Sequence, residues 1–266
     1  MIQSPSRISI IIPVYNEEDH IADCLDAIFS QTVAPYEIIV VDNNSTDQTA
    51  SIVRRYPTAK LITAKHQGVV HARNRGFNAA RGEILGRIDA DTILPADWTM
   101  RVAEIFKDDP LVDAVSGAVT YHDFPFSRLT SKVDLVFRRS IAYGMAEEVF
   151  LYGANMAIRR DAWLATRQNV CYERGLHEDF DLAIHAAANG SIVRFDKRLL
   201  AAVSLRRIDV AVRDFWEYVL QSPRTYKRHG LKSQRHMYPA LVAALCGYWI
   251  IRVLHRAYDE QTGRFS

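Results

Sequence analysis

The chain has 266 residues, 48% of them hydrophobic and 24% charged, an ordinary globular composition that suits one large domain or a domain with an appendage. Its formal net charge of +2 excludes the global basic field of a nucleic-acid-binding protein. Cys24, Cys171 and Cys246 stand at neither metal-ligand nor redox spacing, and with no signal peptide visible the expected setting is reducing and cytoplasmic.

The first half alternates apolar runs with helical patterns. Ile8–Val14 (ISIIIPV) is a β-branched run with the character of a buried strand. Asn16 reads as an N-cap, Glu17, Glu18 and Asp19 as a first turn suited to the helix dipole, and Ile21, Leu25 and Ile28 follow at helical spacing. Glu37–Asp42 (EIIVVD) is a second buried strand. Asn43, Asn44 and Ser45 make a turn, and Ser45 with Gln48 matches a capping box for a helix to about Tyr56. Residues 60–64 are a short strand, 68–81 a helix of small residues ended by Gly82, 84–89 a strand and 97–107 a helix. Strands separated by helices imply parallel βαβ units, in which ligands bind at the carboxyl ends of strands. Tyr15, Asp42 and Asp89 stand at those ends.

The second half is less regular. Val112–Tyr121 reads as a strand, 127–148 as helix, 153–159 as a strand, with a short helix around Trp163. Residues 177–189 form a helix closed by Gly190, 191–195 and 200–205 two strands, and 208–226 a further helix. The most apolar stretch is 237–251 (MYPALVAALCGYWII), which Arg252 interrupts before the roughly 20 residues a membrane span needs. A helix packed on the domain or a partner and a helix lying in a membrane surface carry even weight.

Residues 84–95 (ILGRIDADTILP) end an apolar run with two aspartates one residue apart. In extended geometry Asp89 and Asp91 point the same way, and like charges aimed at one spot need a divalent metal, a cationic side chain or solvent between them. A metal bridging to phosphate oxygens needs few carboxylates, as Mg²⁺ and Mn²⁺ prefer. A turn cap accounts for Asp42 taken alone. Arg73, in HQGVVHARNRG, is either a solvated arginine or a cation directed at a diphosphate. Tyr15 either packs or faces a nucleobase. His66, His71 and His185 match no ligand spacing and read as structural or solvent-facing. Acids in His177-Glu178-Asp179 suit a helix start; the functional alternative is a general base held there, with Asp181 a second acid nearby.

Taken in order, IIIPVYNEE, VVDNNSTD, ARNRG, IDAD and HED resemble the family 2 inverting glycosyltransferases of the GT-A fold, across roughly 8–181 and more weakly beyond. The resemblance implies an α/β fold with a Rossmann-like, mostly parallel central sheet flanked by helices and a helical C-terminal tail. It also implies a nucleotide-sugar donor, a divalent metal (Mn²⁺ or Mg²⁺) and an inverting displacement. On this resemblance Pro13, Tyr15 and Glu17 line the nucleoside pocket, Asp42 bonds the base and Arg73 sits near base or diphosphate. Asp89 reaches the ribose or the metal shell, Asp91 ligates the metal and Asp179 is the base. Tyr152, Gly153, Asn155 and Glu178 fall on the acceptor side. By family frequency UDP is the first nucleotide and GDP the next.

The sequence departs from the family in two places. Asn43 and Asn44 stand where a second aspartate and a glycine are common, and Asn tolerates the left-handed conformation that glycine supplies. Gln221 and Arg224, in QSPRTY, are similar to the QxxRW signature of processive members, but Thr225 replaces the tryptophan, which argues against processive synthesis.

The organisation expected is a GT-A catalytic domain over 1–206, with a nucleotide-sugar half (1–110) and an acceptor half (111–206), then a helical extension over 207–266. Glycan, lipid-linked and small-molecule acceptors all fit, and nucleic acid is not expected. Residues 221–236 carry Arg224, Lys227, Arg228, Lys232 and Arg235 with no acid. That run is a solvated loop, a lid over the donor diphosphate, or part of a membrane-surface contact through 221–256 at the inner membrane face. Two rival functions are a sugar nucleotidyltransferase and a non-catalytic nucleotide-sugar-binding or scaffold protein. The first usually carries a glycine- and basic-rich loop where this chain has PVYNEED; the second is opposed by the intact Asp91 and Asp179.

Overall fold

The β-branched runs of the first half pair side by side. β1 (Ile8–Val14), β2 (Glu37–Asp42), β3 (Ala59–Thr63) and β4 (Ile84–Arg87) join β5 (Val112–Tyr121), β6 (Met156–Arg159) and β7 (Ile192–Val203) in one sheet of order β3-β2-β1-β4-β6-β5-β7. The computed structural model describes residues 6–124, 150–231, 234–259 and 264–265. The helix expected over 127–148 lies outside the described residues. β6 runs antiparallel to both its neighbours, and the other pairings are parallel. The result is the mostly parallel, helix-flanked sheet expected. Chain order reverses beside β1, which lies between β2 and β4, and the carboxyl ends of such neighbours form the usual ligand crevice.

Alternation along β1 sends its side chains into two separate cores. Ile8, Ile10, Ile12 and Val14 pack with α1 (Ile21–Phe29), α2 (Thr49–Val53) and α4 (Trp98–Asp108). Ile11, with Ile39, Val41 and Leu85, packs against α3 (Val69–Ala79), α5 (Arg160–Thr166) and α6 (Glu178–Ala188). Gly76 of α3 lets that helix lie close to the sheet, since a Cβ there would stand 2.4 Å from Ile11 Cγ2 and 2.9 Å from Val41 Cγ2.

Several local expectations are corrected. Asn16 is not an N-cap: it sits at φ 54, and α1 begins only at Ile21. Ser45 forms no capping box, because its Oγ accepts from the Asn16 N–H (3.0 Å), while Asn16 Oδ1 accepts from the Thr46 N–H (2.8 Å). These two bonds tie the loop after β1 to the loop after β2. The strands expected at 191–195 and 200–205 are one strand, β7, whose register against β5 jumps from Asp196 to Leu200. The strand expected from Gly153 starts at Met156, after a 3₁₀ turn over Gly153–Asn155.

The C-terminal part consists of α7 (Val212–Arg228) and α8 (Gln234–Ala257), with a short β8 (Tyr258–Asp259) and β9 (Arg264–Phe265) hairpin. The 221–228 part of the basic run is thus the end of α7, with Arg224 paired to Glu217 and Arg228 to Glu173. α8 packs on the domain through Leu241 and Tyr248, and His255 and Arg256 pair with Asp209. Tyr238, Val242, Trp249, Ile250 and Val253 of the same helix are exposed. Among the described residues no helix is long and apolar enough to cross a membrane.

Gly76→Ala should destabilise the fold by about 1–3 kcal/mol, because neither β1 nor β2 can retreat from the added methyl. Urea denaturation of the two proteins would show it as a lower midpoint with an unchanged slope.

Candidate active site

β4 ends on a charge. Leu85 and Arg87 share the sheet face on which α6 packs, so the Arg87 guanidinium is carried into the interior at the start of that helix. Its Nη1 lies 3.0 and 3.1 Å from Asp179 Oδ1 and Oδ2. Its Nη2 lies 2.8 Å from Asp89 Oδ1 and 3.3 Å from Glu178 Oε1. The Gly153 N–H donates to Asp179 Oδ2 at 2.8 Å. Arg87 and Asp179 are each only 4% exposed at the side chain. Space for this pairing exists because residue 153 has no side chain: a Cβ there would fall 0.8 Å from Arg87 Nη1.

Arg87 lies among three carboxylates, and Arg207 and buried Arg73 add positive charge around them. Burial pulls the Arg87 pKa down, but Asp179, Asp89 and Glu178 outweigh it and leave the pKa raised. Burial raises the Asp179 and Asp89 pKa values above the ordinary carboxylate value, with Arg87 opposing in both. Arg73 supports the same segment from α3. It is fully buried, not solvated, and its Nη1 donates to the Glu178 carbonyl at 2.6 Å while its Nη2 has no partner. Thr225 of α7 holds the other side, its Oγ1 accepting from the His177 N–H at 2.8 Å and donating to the Gln221 carbonyl at 2.8 Å.

Asp89 and Asp91 do not point at one spot. β4 stops at Arg87, and residues 89–91 form a turn. Asp89 goes to Arg87, whereas Asp91 Oδ2 meets Arg206 Nε at 2.7 Å. Arg206 Nη2 also meets Glu17 Oε1 at 2.7 Å, so one guanidinium bridges the loop after β1 and the turn after β4. Glu17 Oε2 is buried without a partner, and burial raises the Glu17 pKa. Arg207, the next residue, lies over the Tyr218 ring at 4.0 Å.

The other sequence candidates fall at several distances from this cluster. Tyr15 is half exposed at the end of β1, and Pro13 lies within that strand. Asp42 Oδ1 accepts from the Ser45 N–H (3.0 Å), the turn-cap role. Asn44 is left-handed at φ 67, and Asn43 donates to the Ala64 and His66 carbonyls while accepting from the Gly68 N–H, a pattern no aspartate can complete. Tyr152 precedes Gly153, its N–H donating to Ser116 Oγ. Asn155 is fully buried, bonded to Trp98 Nε1 and to the Ala118 and Leu199 carbonyls. Trp163 is buried with its Nε1 on Asn78. Arg224 is spent on Glu217, and the Gln221 carbonyl on Thr225. Sequence reasoning missed Arg87, Arg206 and Arg207. A lone arginine inside the apolar run ILGRI was a usable signal, since a buried cation demands acids. Arg206 and Arg207 had no spacing signal.

A family model described as Glycosyl transferase family 2 matches residues 9–164, and one described as Glycosyl transferase family group 2 matches residues 87–258. The glycosyltransferase AglE of Haloferax volcanii is 40% identical over 121 residues, 43% of this chain and 40% of that protein. The chain spans about half the length of the curated relatives it matches. Among solved structures, a mannosyltransferase from Pyrobaculum calidifontis in complex with GDP-Man and Mn²⁺ superimposes with a TM-score of 0.59 at 21% identity, over 96% of this chain and 85% of that one. Glucosyl-3-phosphoglycerate synthase from Mycobacterium tuberculosis, in complex with Mn²⁺, UDP-Glc and phosphoglyceric acid, superimposes with a TM-score of 0.63 at 18% identity, over 85% and 80%.

The two arginine sites should respond differently to substitution. Arg87→Leu leaves buried carboxylates without their cation and should cost about 3–5 kcal/mol. Arg206→Ala removes a side chain that is 41% exposed from carboxylates that are 15% and 13% exposed, and should cost less than Arg87→Leu. Thermal and urea unfolding of both variants would check the contrast.

Proposed function

Since the chain belongs to glycosyl transferase family 2, we propose that it transfers a sugar from a nucleotide-diphosphate donor to an acceptor hydroxyl with inversion at the anomeric carbon. The observation that carries this reading is the meeting of two acidic groups at the carboxyl ends of β1 and β4. Glu17 and Asp91 converge through Arg206, and Asp89, which interacts with both Asp91 and Asp179, lies between that pair and the Arg87 cluster.

A divalent metal fits the first group. The partnerless Glu17 Oε2, and an Asp91 whose side-chain partner is a part-exposed arginine, form an oxygen-rich corner suited to Mn²⁺ or Mg²⁺. Asp91 would hold the ion with Asp89 nearby, and the ion would supply positive charge to the leaving diphosphate. Arg206 is the side chain that must give way or turn to the phosphates, and its own 41% exposure leaves it room to do so. Tyr15, exposed at the end of β1, is suited to stack on the base, and Asp42 keeps one carboxylate oxygen beyond its turn bond.

Asp179 takes the proton of the attacking hydroxyl. Its raised pKa brings it nearer to working pH, and Arg87 and the Gly153 N–H fix its orientation. Nucleotide-sugar complexes among the structural relatives support a donor of this class, with UDP favoured and GDP next. Thr225 at the tryptophan position supports single transfers over processive synthesis. The donor half is 1–110, the acceptor half 111–206 and the helical extension 207–266. The acceptor is a glycan, a lipid-linked molecule or a small molecule. The exposed apolar residues of α8 support contact with a membrane surface at its cytoplasmic side.

Calorimetric titration with UDP and GDP, each with and without Mn²⁺, should show manganese-dependent binding of one nucleotide that Asp91→Ala abolishes. Asp179→Asn should keep that binding and lose about 10²–10⁴-fold in transfer rate; transfer unchanged in the variant would remove Asp179 as the base, and no donor consumed by either protein would leave the scaffold reading standing. For the tail, the full chain should co-sediment with phosphatidylglycerol vesicles, and Trp249→Ser with Val253→Ser should reduce this several-fold. Equal sedimentation of wild type and variant would remove α8 from the membrane contact.

A further inference from the structure

Asp179 and Asp181 leave α6 in different directions, because two residues turn a helix by about 200°. Asp181 therefore faces away from Arg87, into a second polar cluster. Its side chain is 1% exposed. Oδ2 accepts from the Cys171 N–H at 2.8 Å, and Oδ1 meets His229 Nε2 at 2.8 Å. His185, one turn along the same face of α6, places its Nε2 3.5 Å from Asp181 Oδ1 and 3.8 Å from Cys171 Sγ. The two imidazoles meet edge to face, with centroids 4.8 Å apart and planes at 84°. All four donor atoms lie within 4.8 Å of one another.

One sulfur, two imidazole nitrogens and one carboxylate oxygen are the donor set of a closed tetrahedral zinc site. A tetrahedron with Zn–S near 2.3 Å and Zn–N or Zn–O near 2.0–2.2 Å separates its ligand atoms by roughly 3.3–3.6 Å. The His185 separations already match this within a few tenths of an ångström, and the Asp181–His229 hydrogen bond needs to open by roughly half an ångström. The oxygen donors near Asp91 suit a different, harder ion.

We propose that Cys171, Asp181, His185 and His229 bind a structural zinc ion that fastens the loop before α6, α6 itself and the end of α7 to one another. His229 is the residue on which α7 ends, and Thr225, one turn earlier, accepts the His177 N–H. The ion therefore braces the segment that presents Glu178 and Asp179. Burial, aided by Asp181, pushes the Cys171 thiol up to about 11, so in the absence of a cation it stays a protonated, unreactive thiol. On binding, zinc takes a Cys171 thiolate and the proton leaves to solvent, as does any proton shared by His229 and Asp181.

The test is metal analysis of the full chain purified from zinc-supplemented cells and passed through gel filtration. Stoichiometric zinc is expected in wild type and in Asp91→Ala, and its loss in Cys171→Ser with His229→Gln. Cobalt exchanged into wild type should give a thiolate-to-metal charge-transfer band and the intense visible bands of a tetrahedral ion. A strong chelator should lower the melting temperature of wild type but not of the double variant. Wild type without stoichiometric zinc and without the cobalt charge-transfer band would overturn the proposal, as would zinc that survives in the double variant. Because the cobalt spectrum is read on wild type, misfolding of the double variant cannot decide the outcome.

Discussion

A single guanidinium at the end of β4 organises the site. Arg87 is carried inward by a strand that alternates strictly, and in the low-dielectric interior it requires anions. It draws them from two places in the chain: Asp89 just beyond its own strand, and Glu178 and Asp179 at the start of α6. The turn after β4 and the start of α6 are thereby joined through one cation. Arg73 and Thr225 act on the same joint from α3 and α7, each on the backbone of the His177-Glu178 segment. Four elements distant in sequence thus fix where one carboxylate points.

Charge accounts for the remainder of the crevice. Three carboxylates gather at Arg87 with Arg207 and Arg73 adding positive charge, while Asp91 and Glu17 share Arg206. The two arginines differ in burial. Arg87 is sealed among its acids, whereas the Arg206 side chain is 41% exposed.

Much of the architecture was legible in the chain because buried parallel strands are near-continuous β-branched runs, as in ISIIIPV and EIIVVD. The asparagine turn after β2 was legible too, since Asn44 takes the left-handed conformation that its chemistry allows. What escaped were features set by partners far along the chain. The aspartate pair was read as extended, but the strand ends at Arg87 and the aspartates diverge to two different arginines. Arg73 answers to a backbone carbonyl 105 residues away, which no local pattern encodes. Ser45 spends its cap oxygen on the Asn16 N–H, and Asn16 spends its side-chain oxygen on the Thr46 N–H, across two loops. The Cys171, Asp181, His185 and His229 donors come from three segments, so only the Asp181–His185 spacing existed in sequence, without its complement.

The absent side chain at Gly153 has an evolutionary consequence. The Arg87 guanidinium occupies the volume that any β-carbon at 153 would claim. The two positions therefore form one heritable character. A lineage that gains alanine at 153 must already have shortened residue 87, and a shortened residue 87 strands buried carboxylates in the meantime. Each single step from this pair costs stability, so related chains should keep or exchange the two residues together.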